Sequence, residues 1–218
     1  MQKSVHSLTK RISRKIQRIW TIGSTQPTIK AYQSIEGFLS IYEAATLYRL
    51  AEQLPINSTI VEIGSWKGKS TYCLARGLRQ GKVIAIDPFD TAGEPGSAEI
   101  YQTRQGNKPL FNQFRTQMKT LGVWDKIEAR QGYSQQFVGQ IQKIDFLFID
   151  GDHSKEGCEF DFTNYAPYLS KDGFLAFHDF DPIRDELGPT WVVKNRVLPS
   201  GTFTPVGVFD SLWVGRRA

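Results

Sequence analysis

The segment that constrains the fold most runs from Val61 to Leu78 and reads VEIGSWKGKSTYCLARGL. It begins as an apolar run, breaks at Gly64, and continues after Gly68 with the spacing of a helix. This order of strand, glycine turn and helix places backbone N–H groups and a helix N-terminus at the open end of the strand. The segment therefore predicts a site for an anionic or nucleotide-like ligand, and a tight turn that binds nothing is the alternative.

The rest of the body repeats the alternation of strand and helix. Lys82–Ile86 predicts a second strand, and Ile144–Ile149 is a nearly continuous apolar run, which is typical of a strand buried on both faces. The tail predicts an antiparallel hairpin that turns at Phe209 and Asp210. We therefore expect an α/β fold, a doubly wound and mostly parallel sheet in which ligands bind at the carboxyl ends of the strands.

The glycine turn is similar to a phosphate-binding loop but shorter. Such a loop needs four residues between its first glycine and the Gly-Lys-Ser/Thr sequence, and here three separate Gly64 from Gly68. Trp66 also occupies the position that a second glycine would need for close approach to a pyrophosphate. A nucleotide hydrolase or kinase of the P-loop type is therefore the disfavoured alternative.

Acidic side chains at two positions favour a nucleoside as the ligand of a site that has no phosphate-binding loop. Asp87 ends the second strand, where a carboxylate can accept both hydroxyls of a ribose; a helix cap or a solvent-exposed acid is the alternative. Glu62 lies inside an apolar strand, so we expect it to meet backbone N–H donors or a cationic group of the ligand. S-adenosylmethionine, which carries no phosphate, fits this combination.

Four motifs stand out at the ends of these elements: ExGxxxGxS from Glu62 to Ser70, the acid of AIDP at Asp87, FIDGDHSxEG from Phe148 to Gly157, and DGFLAFHD from Asp172 to Asp179. They resemble those of the class I S-adenosylmethionine-dependent methyltransferases, in particular the macrocin-type and catechol-like metal-dependent O-methyltransferases. The resemblance extends from about Ile35 to the C-terminus. It implies a seven-stranded sheet with the last strand inserted antiparallel.

The same resemblance implies a set of cofactor-binding residues. Gly64, Ser65 and Gly68 would hold the methionine part, Asp87 the ribose, and Gly132 to Ser134 the adenine edge. The matching motif also adds Glu62, Ser70 and Asp150 to the cofactor-binding set.

Two histidines lie among the acids at the strand ends. Asp150, His178 and Asp179 are candidate ligands of magnesium or another divalent cation, although an imidazole suits manganese, iron, nickel or zinc better; loop-organising acids are the alternative. His153 is the candidate general base, at a position where the catechol-type enzymes have a lysine, and a capping or surface residue is the alternative. The predicted catalytic residues are therefore His153 and Asp150.

The N-terminal residues differ in composition from the body. Residues 1–35 contain seven lysines and arginines and no acid, and Leu8, Ile12, Ile16 and Ile19 have helical spacing. We expect residues 1–34 to form a basic amphipathic arm and residues 35–218 the S-adenosylmethionine-binding domain. The arm packs on the body or on a partner subunit, contacts an anionic surface, or serves as a transit peptide.

Two polar segments are expected to be irregular: a connector at residues 23–30, and a long loop at residues 90–107 that would help to select the substrate.

The predicted function is methylation of a hydroxyl on a small molecule or sugar, with a divalent cation as a candidate aid. A non-catalytic nucleoside-binding module of the same fold is a further alternative. Two cysteines without a disulfide pattern favour the cytoplasm, and no apolar run is long enough for a membrane span. Nucleic acid is a disfavoured partner, and a homo-oligomer is left open.

Overall fold

The structure is a computed structural model that describes Arg18 and residues 21–90, 98–105 and 108–218. The amphipathic helix predicted from Leu8, Ile12, Ile16 and Ile19 lies outside the described residues. Arg18 forms an ion pair with Asp210 at the turn of the C-terminal hairpin. The arm therefore touches the body at this residue, and the domain boundary at residues 34 and 35 stays a prediction.

Seven strands of the described chain form one sheet in the order β3-β2-β1-β4-β5-β7-β6. β1 to β5 are parallel, and β7 pairs antiparallel with both β5 and β6. The predicted fold class, including the antiparallel last strand, is confirmed. The strands are β1 Ser58–Ile63, β2 Gly81–Asp87, β3 Ile127–Gln131, β4 Ile144–Ile149, β5 Leu169–Phe177, β6 Phe203–Phe209 and β7 Leu212–Arg217.

Helices cover both faces of this sheet. The first, α1, includes residues 21–29 and continues into a 3-10 turn at Lys30–Ser34. The other α-helices are α2 Ile41–Glu52, α3 Lys69–Gly77, α4 Ala98–Gln105, α5 Leu110–Thr120, α6 Lys155–Tyr165 and α7 Gly188–Val192, and a π-helical turn at Val193–Val197 extends α7. Shorter 3-10 turns lie at Trp124–Lys126, Ser134–Phe137 and Ala166–Tyr168.

Alternating side chains of the central strands supply two hydrophobic cores. In β4, Phe146 and Phe148 pack with α2, α3 and α5, whereas Leu147 and Ile149 pack with α6 and α7. Because successive side chains of a strand point to opposite faces, a strand covered on both sides must be apolar at nearly every position. This explains the continuous IDFLFI sequence.

Backbone hydrogen bonds align the carboxyl ends of the parallel strands. The N–H of Asp150, just beyond β4, donates to the carbonyl of Ile63 at 2.8 Å, and the N–H of His178, just beyond β5, donates to that of Ile149 at 3.1 Å. The residues that follow β1, β4 and β5 therefore emerge side by side.

Two predictions of irregular structure were wrong. Residues 23–29 of the expected connector are helical, and Ile29 is fully buried in the core, so packing overrides their polar composition. In the expected loop at residues 90–107, Ala98–Gln105 forms α4, and residues 91–97, 106 and 107 lie outside the described part. None of the described helices is both long enough and apolar enough to span a bilayer.

Candidate active site

A cavity of about 700 Å³ lies at the carboxyl ends of the parallel strands. This volume is typical of pockets for small molecules and cofactors. Two predicted residues, Glu62 and Gly68, are not part of its wall. The predicted residues that line it are Gly64, Ser65, Ser70, Asp87, Gly132, Ser134, Asp150, His153, His178 and Asp179.

Two glycines are required by the turn between β1 and α3. Gly64 has φ +89°, and a Cβ atom there would lie 2.0 Å from the carbonyl oxygen of Asp150. Gly68 has φ +87°, and its Cβ would come within 2.8 Å of Phe114 and Met118. The first glycine thus lets β1 approach the end of β4, and the second lets α3 begin against α5.

Asp87 connects the end of β2 to this turn. Its Oδ2 accepts hydrogen bonds from the N–H groups of Ser65 at 2.8 Å and Trp66 at 2.7 Å, and its Oδ1 accepts one from Phe89. Burial raises the pKa of Asp87, while these three N–H donors act in the opposite direction. Because each carboxylate oxygen can accept more than one hydrogen bond, Asp87 retains capacity toward the cavity.

Glu62 stabilises the turn between β1 and α3 through hydrogen bonds. Its Oε2 accepts hydrogen bonds from the hydroxyls of Ser65, at 2.8 Å, and Thr71. Side-chain hydroxyls are therefore its partners, where backbone N–H groups or a ligand cation were predicted. Burial raises the pKa of Glu62 to about 7, although the same hydroxyls lower it. The residue orders the glycine turn without reaching the cavity wall.

An acid and imidazole cluster occupies the other side of the cavity. His178 Nδ1 lies 3.2 Å from Asp150 Oδ1 and 3.2 Å from Asp179 Oδ2. His153 Nε2 lies 3.2 Å from the same Asp179 oxygen and 3.7 Å from the same Asp150 oxygen. The strand ends thus bring together all four side chains that the sequence predicted for catalysis and metal binding.

Glu43, in the first turn of α2, contacts His178 on the side opposite Asp150. Its Oε2 lies 3.4 Å from His178 Nε2 and accepts the N–H of Ser40 at 2.8 Å, which closes the capping box. Its Oε1 accepts two hydrogen bonds from Ser211 at the hairpin turn. Only the tertiary structure shows that this helix cap, nearly 170 residues away from Ser211, reaches the site.

The charges of the cluster stabilise one another. Burial alone would raise the pKa of Asp150 and of Glu43, but the positive charge of His178 and its hydrogen bonds outweigh burial and lower each pKa to about 2. Burial would lower the pKa of His178, yet Asp150, Asp179 and Glu43 raise it well above its ordinary value. His178 is therefore a buried imidazolium cation that lies between the carboxylates of Asp150, Asp179 and Glu43.

The loop that carries His153 is fixed at several points. The N–H of Gly188 at the start of α7 donates to the carbonyl of His153 at 2.9 Å. Ser154 caps α6 by accepting the N–H of Gly157, and Asp152 Oδ1 accepts the N–H of Ser154 at 2.7 Å. Asp152 is thus a loop-organising acid, and the imidazole of His153 is presented from a rigid turn.

The sequence did not predict several other wall residues, among them Phe38, Trp66 and Asp161. Phe38 and Trp66 stack with ring centroids 6.0 Å apart and an interplanar angle of 20°. Asp161 lies on α6 and lines the cavity. Its position in the sequence does not distinguish it from a solvent-exposed acid of a helix. The position of Trp66 in the glycine turn could have identified it as a wall residue. No feature of the sequence distinguishes Phe38 or Asp161 in this way.

Solved structures share this architecture. The O-methyltransferase TomG from Streptomyces achromogenes, solved with S-adenosylmethionine, matches with a TM-score of 0.60 and 17% identity over 91% of this chain and 89% of its own. An O-methyltransferase from Bacillus cereus in complex with S-adenosylhomocysteine matches with a TM-score of 0.62 and 17% identity over 91% and 90%. At this identity the likeness concerns the fold.

Sequence comparison identifies the family. A protein of Acanthamoeba polyphaga mimivirus, the uncharacterized protein R132, is 28% identical over 130 residues, which are 58% of this chain and 53% of that protein. The chain thus spans about half the length of this curated relative. The family model described as a methyltransferase domain matches residues 61–180, which include the carboxyl ends of β1 to β5. The predicted family is therefore confirmed, and the chain belongs to the methyltransferase domain family.

Proposed function

We propose that this protein transfers a methyl group from S-adenosylmethionine to a hydroxyl of a small molecule or sugar. The observation that carries the proposal is the shared cavity, in which the glycine turn and Asp87 face the acid and imidazole cluster. One side provides a nucleoside site, and the other provides groups that remove a proton. The S-adenosylmethionine and S-adenosylhomocysteine of the solved structures with this fold support the choice of donor.

The donor would lie along the ends of β1, β2 and β3. The ribose hydroxyls would donate to Asp87, whose carboxylate already orders the turn through Ser65 and Trp66. The methionine part would lie beside Gly64 and Ser65, and the adenine beside Gly132 to Ser134. In this arrangement the sulfonium methyl faces Asp150 and His153.

A P-loop activity is disfavoured by the lysines of the glycine turn. Lys67 Nζ forms an ion pair with Glu36 at 2.7 Å, and Lys69 Nζ donates to the carbonyl of Gly37 at 3.2 Å. A nucleotide phosphate would need such a lysine directed at it, together with the longer glycine loop.

His153 is the group that receives the acceptor's proton. The acceptor oxygen attacks the methyl carbon, the bond between carbon and sulfur breaks, and the sulfonium becomes the neutral thioether of S-adenosylhomocysteine. The hydroxyl proton passes to the imidazole of His153. Asp150 and Asp179, next to its Nε2, stabilise the positive charge that results.

The cluster also fits a divalent cation. The ligand atoms of Asp150 and Asp179 lie 3.2 Å from His178 Nδ1, a separation suited to donors that share one ion. The ion would replace the proton on Nδ1 of the His178 cation, and Glu43 at Nε2 would fix the neutral imidazole in the ligating tautomer. Asp150, His153 and Asp179 have ligand atoms that all lie within 4.8 Å of one another. We propose Asp150, His178 and Asp179 as the ligands. The imidazole favours manganese, iron or zinc over magnesium, and the cation would supply positive charge that eases loss of the acceptor's proton.

Incubation with S-adenosylmethionine and a panel of sugars, phenols and other small hydroxyl compounds tests both proposals. We expect mass spectrometry to find an O-methyl ether and S-adenosylhomocysteine in equal amounts. A chelator should lower the yield, manganese or magnesium should restore it, and calorimetry should detect Mn²⁺ binding that the Asp179→Asn variant loses. Transfer only to nitrogen or carbon contradicts O-methylation, and full yield in chelator without Mn²⁺ binding contradicts the cation.

A further inference from the structure

Ser211, in the turn between β6 and β7, contacts two parts of the acid and imidazole cluster although it is not part of the cavity wall. Its N–H and its hydroxyl both donate to Oε1 of Glu43, at 2.8 and 2.7 Å. Its carbonyl accepts the N–H of Phe180 at 2.9 Å. Phe180 directly follows His178 and Asp179, two of the proposed ligands. Ser211 therefore joins the start of α2 to the residues that leave β5.

The bond from Phe180 to Ser211 stabilises an unusual main-chain conformation. Asp179 has a φ angle of +54°, in the left-handed region that few residues other than glycine, asparagine and aspartate adopt. Such a conformation persists where the surrounding contacts determine it. The N–H of His178, bonded to the carbonyl of Ile149, fixes the chain before Asp179, and the bond to Ser211 fixes it afterwards.

The contact between Glu43 and His178 is sensitive to the position of the carboxylate. Oε2 of Glu43 lies 3.4 Å from Nε2 of His178, which is longer than the usual N–H···O distance of about 2.7–3.2 Å. A small shift of the carboxylate therefore strengthens or breaks this contact. In the described part of the chain the carboxylate accepts one hydrogen bond from Ser40 and two from Ser211. Ser211 thus fixes Oε1, and with it the orientation of the carboxylate.

We propose that Ser211 is a positioning residue for His178. Its N–H and hydroxyl direct the Glu43 carboxylate at Nε2, and its carbonyl fixes the chain beyond β5. Nδ1 of His178 then faces Asp150 and Asp179, the other two proposed ligands. The inference rests on the proposed divalent cation, and its consequence is that a serine outside the cavity affects the affinity for that cation.

The hydroxyl of Ser211 can be tested apart from its main chain. Ser211→Ala keeps the N–H and carbonyl contacts and loses only the 2.7 Å bond to Oε1 of Glu43. The terminal torsion of a glutamate has a broad energy minimum, so the carboxylate can then rotate away from Nε2. Ser211→Thr retains a hydroxyl and should therefore behave as the wild type does.

Calorimetry of the full chain with Mn²⁺, in the absence of a methyl donor, provides the test. The hydrogen-bond partner of a metal-binding imidazole typically contributes about 10–100-fold to metal affinity, and Ser211 acts one contact further away. We therefore expect Ser211→Ala to weaken Mn²⁺ binding by at least ~5-fold and Ser211→Thr to stay within ~2-fold of the wild type. The Kd for S-adenosylhomocysteine should change by less than ~2-fold in both variants, because the glycine turn and Asp87 follow other strands.

Ser58→Ala is the matched control. The Ser58 hydroxyl makes a hydrogen bond of similar length and burial, 2.8 Å to the carbonyl of Pro55. It lies at the amino end of β1, and the cavity lies at the carboxyl ends of the strands. This variant should keep the wild-type affinity for Mn²⁺ even if its melting temperature falls.

The outcomes separate this inference from the proposals on which it rests. Failure of the wild-type protein to bind S-adenosylhomocysteine contradicts the proposed function. Binding of that compound without any binding of Mn²⁺ contradicts the cation and the role of Ser211 together. Unchanged Mn²⁺ affinity in Ser211→Ala contradicts only the role of Ser211. An equal loss of Mn²⁺ affinity in Ser58→Ala also contradicts it, because that result is expected of a general loss of rigidity.

Discussion

Replacing His153 with alanine should lower kcat by at least ~100-fold while the Kd for S-adenosylmethionine changes by less than ~3-fold. The reason is the division of the cavity: His153 lies beside Asp150 and Asp179, and the glycine turn and Asp87 lie on other strands. Steady-state kinetics with a methylated acceptor and calorimetry with the donor measure the two quantities separately.

Lys155→Ala is the matched control for this variant. Lys155 begins α6 two residues after His153 and is not part of the cavity wall, so kcat should stay within ~2-fold of the wild type. A His153→Ala protein that keeps its full kcat would show that another group takes the proton. A variant that loses donor binding instead would assign His153 to the cofactor.

Replacing Gly64 with alanine should lower the free energy of unfolding by ~3 kcal/mol or more and abolish donor binding. The added Cβ would lie 2.0 Å from the carbonyl oxygen of Asp150 and 2.8 Å from the N–H nitrogen of Gly151. Both atoms belong to the main chain beyond β4, so the clash is relieved only by separating the ends of β1 and β4. Urea denaturation and calorimetry measure the two effects.

Gly23→Ala is the control for this substitution. Gly23 is helical and exposed, and a Cβ there would have no atom within 4 Å, so this variant should be as stable as the wild type or more stable by up to ~1 kcal/mol. Normal stability and normal donor affinity in Gly64→Ala would mean that the close approach of β1 to Asp150 is not needed for the site.

The sheet was predictable from sequence because its strands obey local rules. The continuous apolar run of β4 requires burial on both faces, and the glycines of the first turn have positive φ angles that few other residues adopt. Since parallel strands place their carboxyl ends at one edge, Asp87, Asp150 and His178 were also expected to meet. The structure brings all three to the cavity wall.

The parts that sequence did not predict depend on long-range contacts. Glu43 looks like a capping residue until the hairpin places Ser211, and β5 places His178, beside its carboxylate. Asp161 has no local feature that separates it from a solvent-exposed helical acid, yet Ser134 and Gly151 enclose it. Residues 23–29 are polar enough for a connector but form a helix because Ile29 enters the core.

Calorimetry of the full chain with S-adenosylmethionine, S-adenosylhomocysteine and ATP in parallel tests whether the glycine turn and Asp87 form a methyl-donor site. We expect both sulfur compounds to bind with one site per chain, and we expect Asp87→Ala to weaken them by at least ~10-fold, because the ribose hydroxyls and the N–H groups of the glycine turn lose their acceptor. ATP should not bind measurably, since three residues between Gly64 and Gly68 cannot form a phosphate cradle. Tight binding of ATP without either sulfur compound would show that the cavity is not a methyl-donor site.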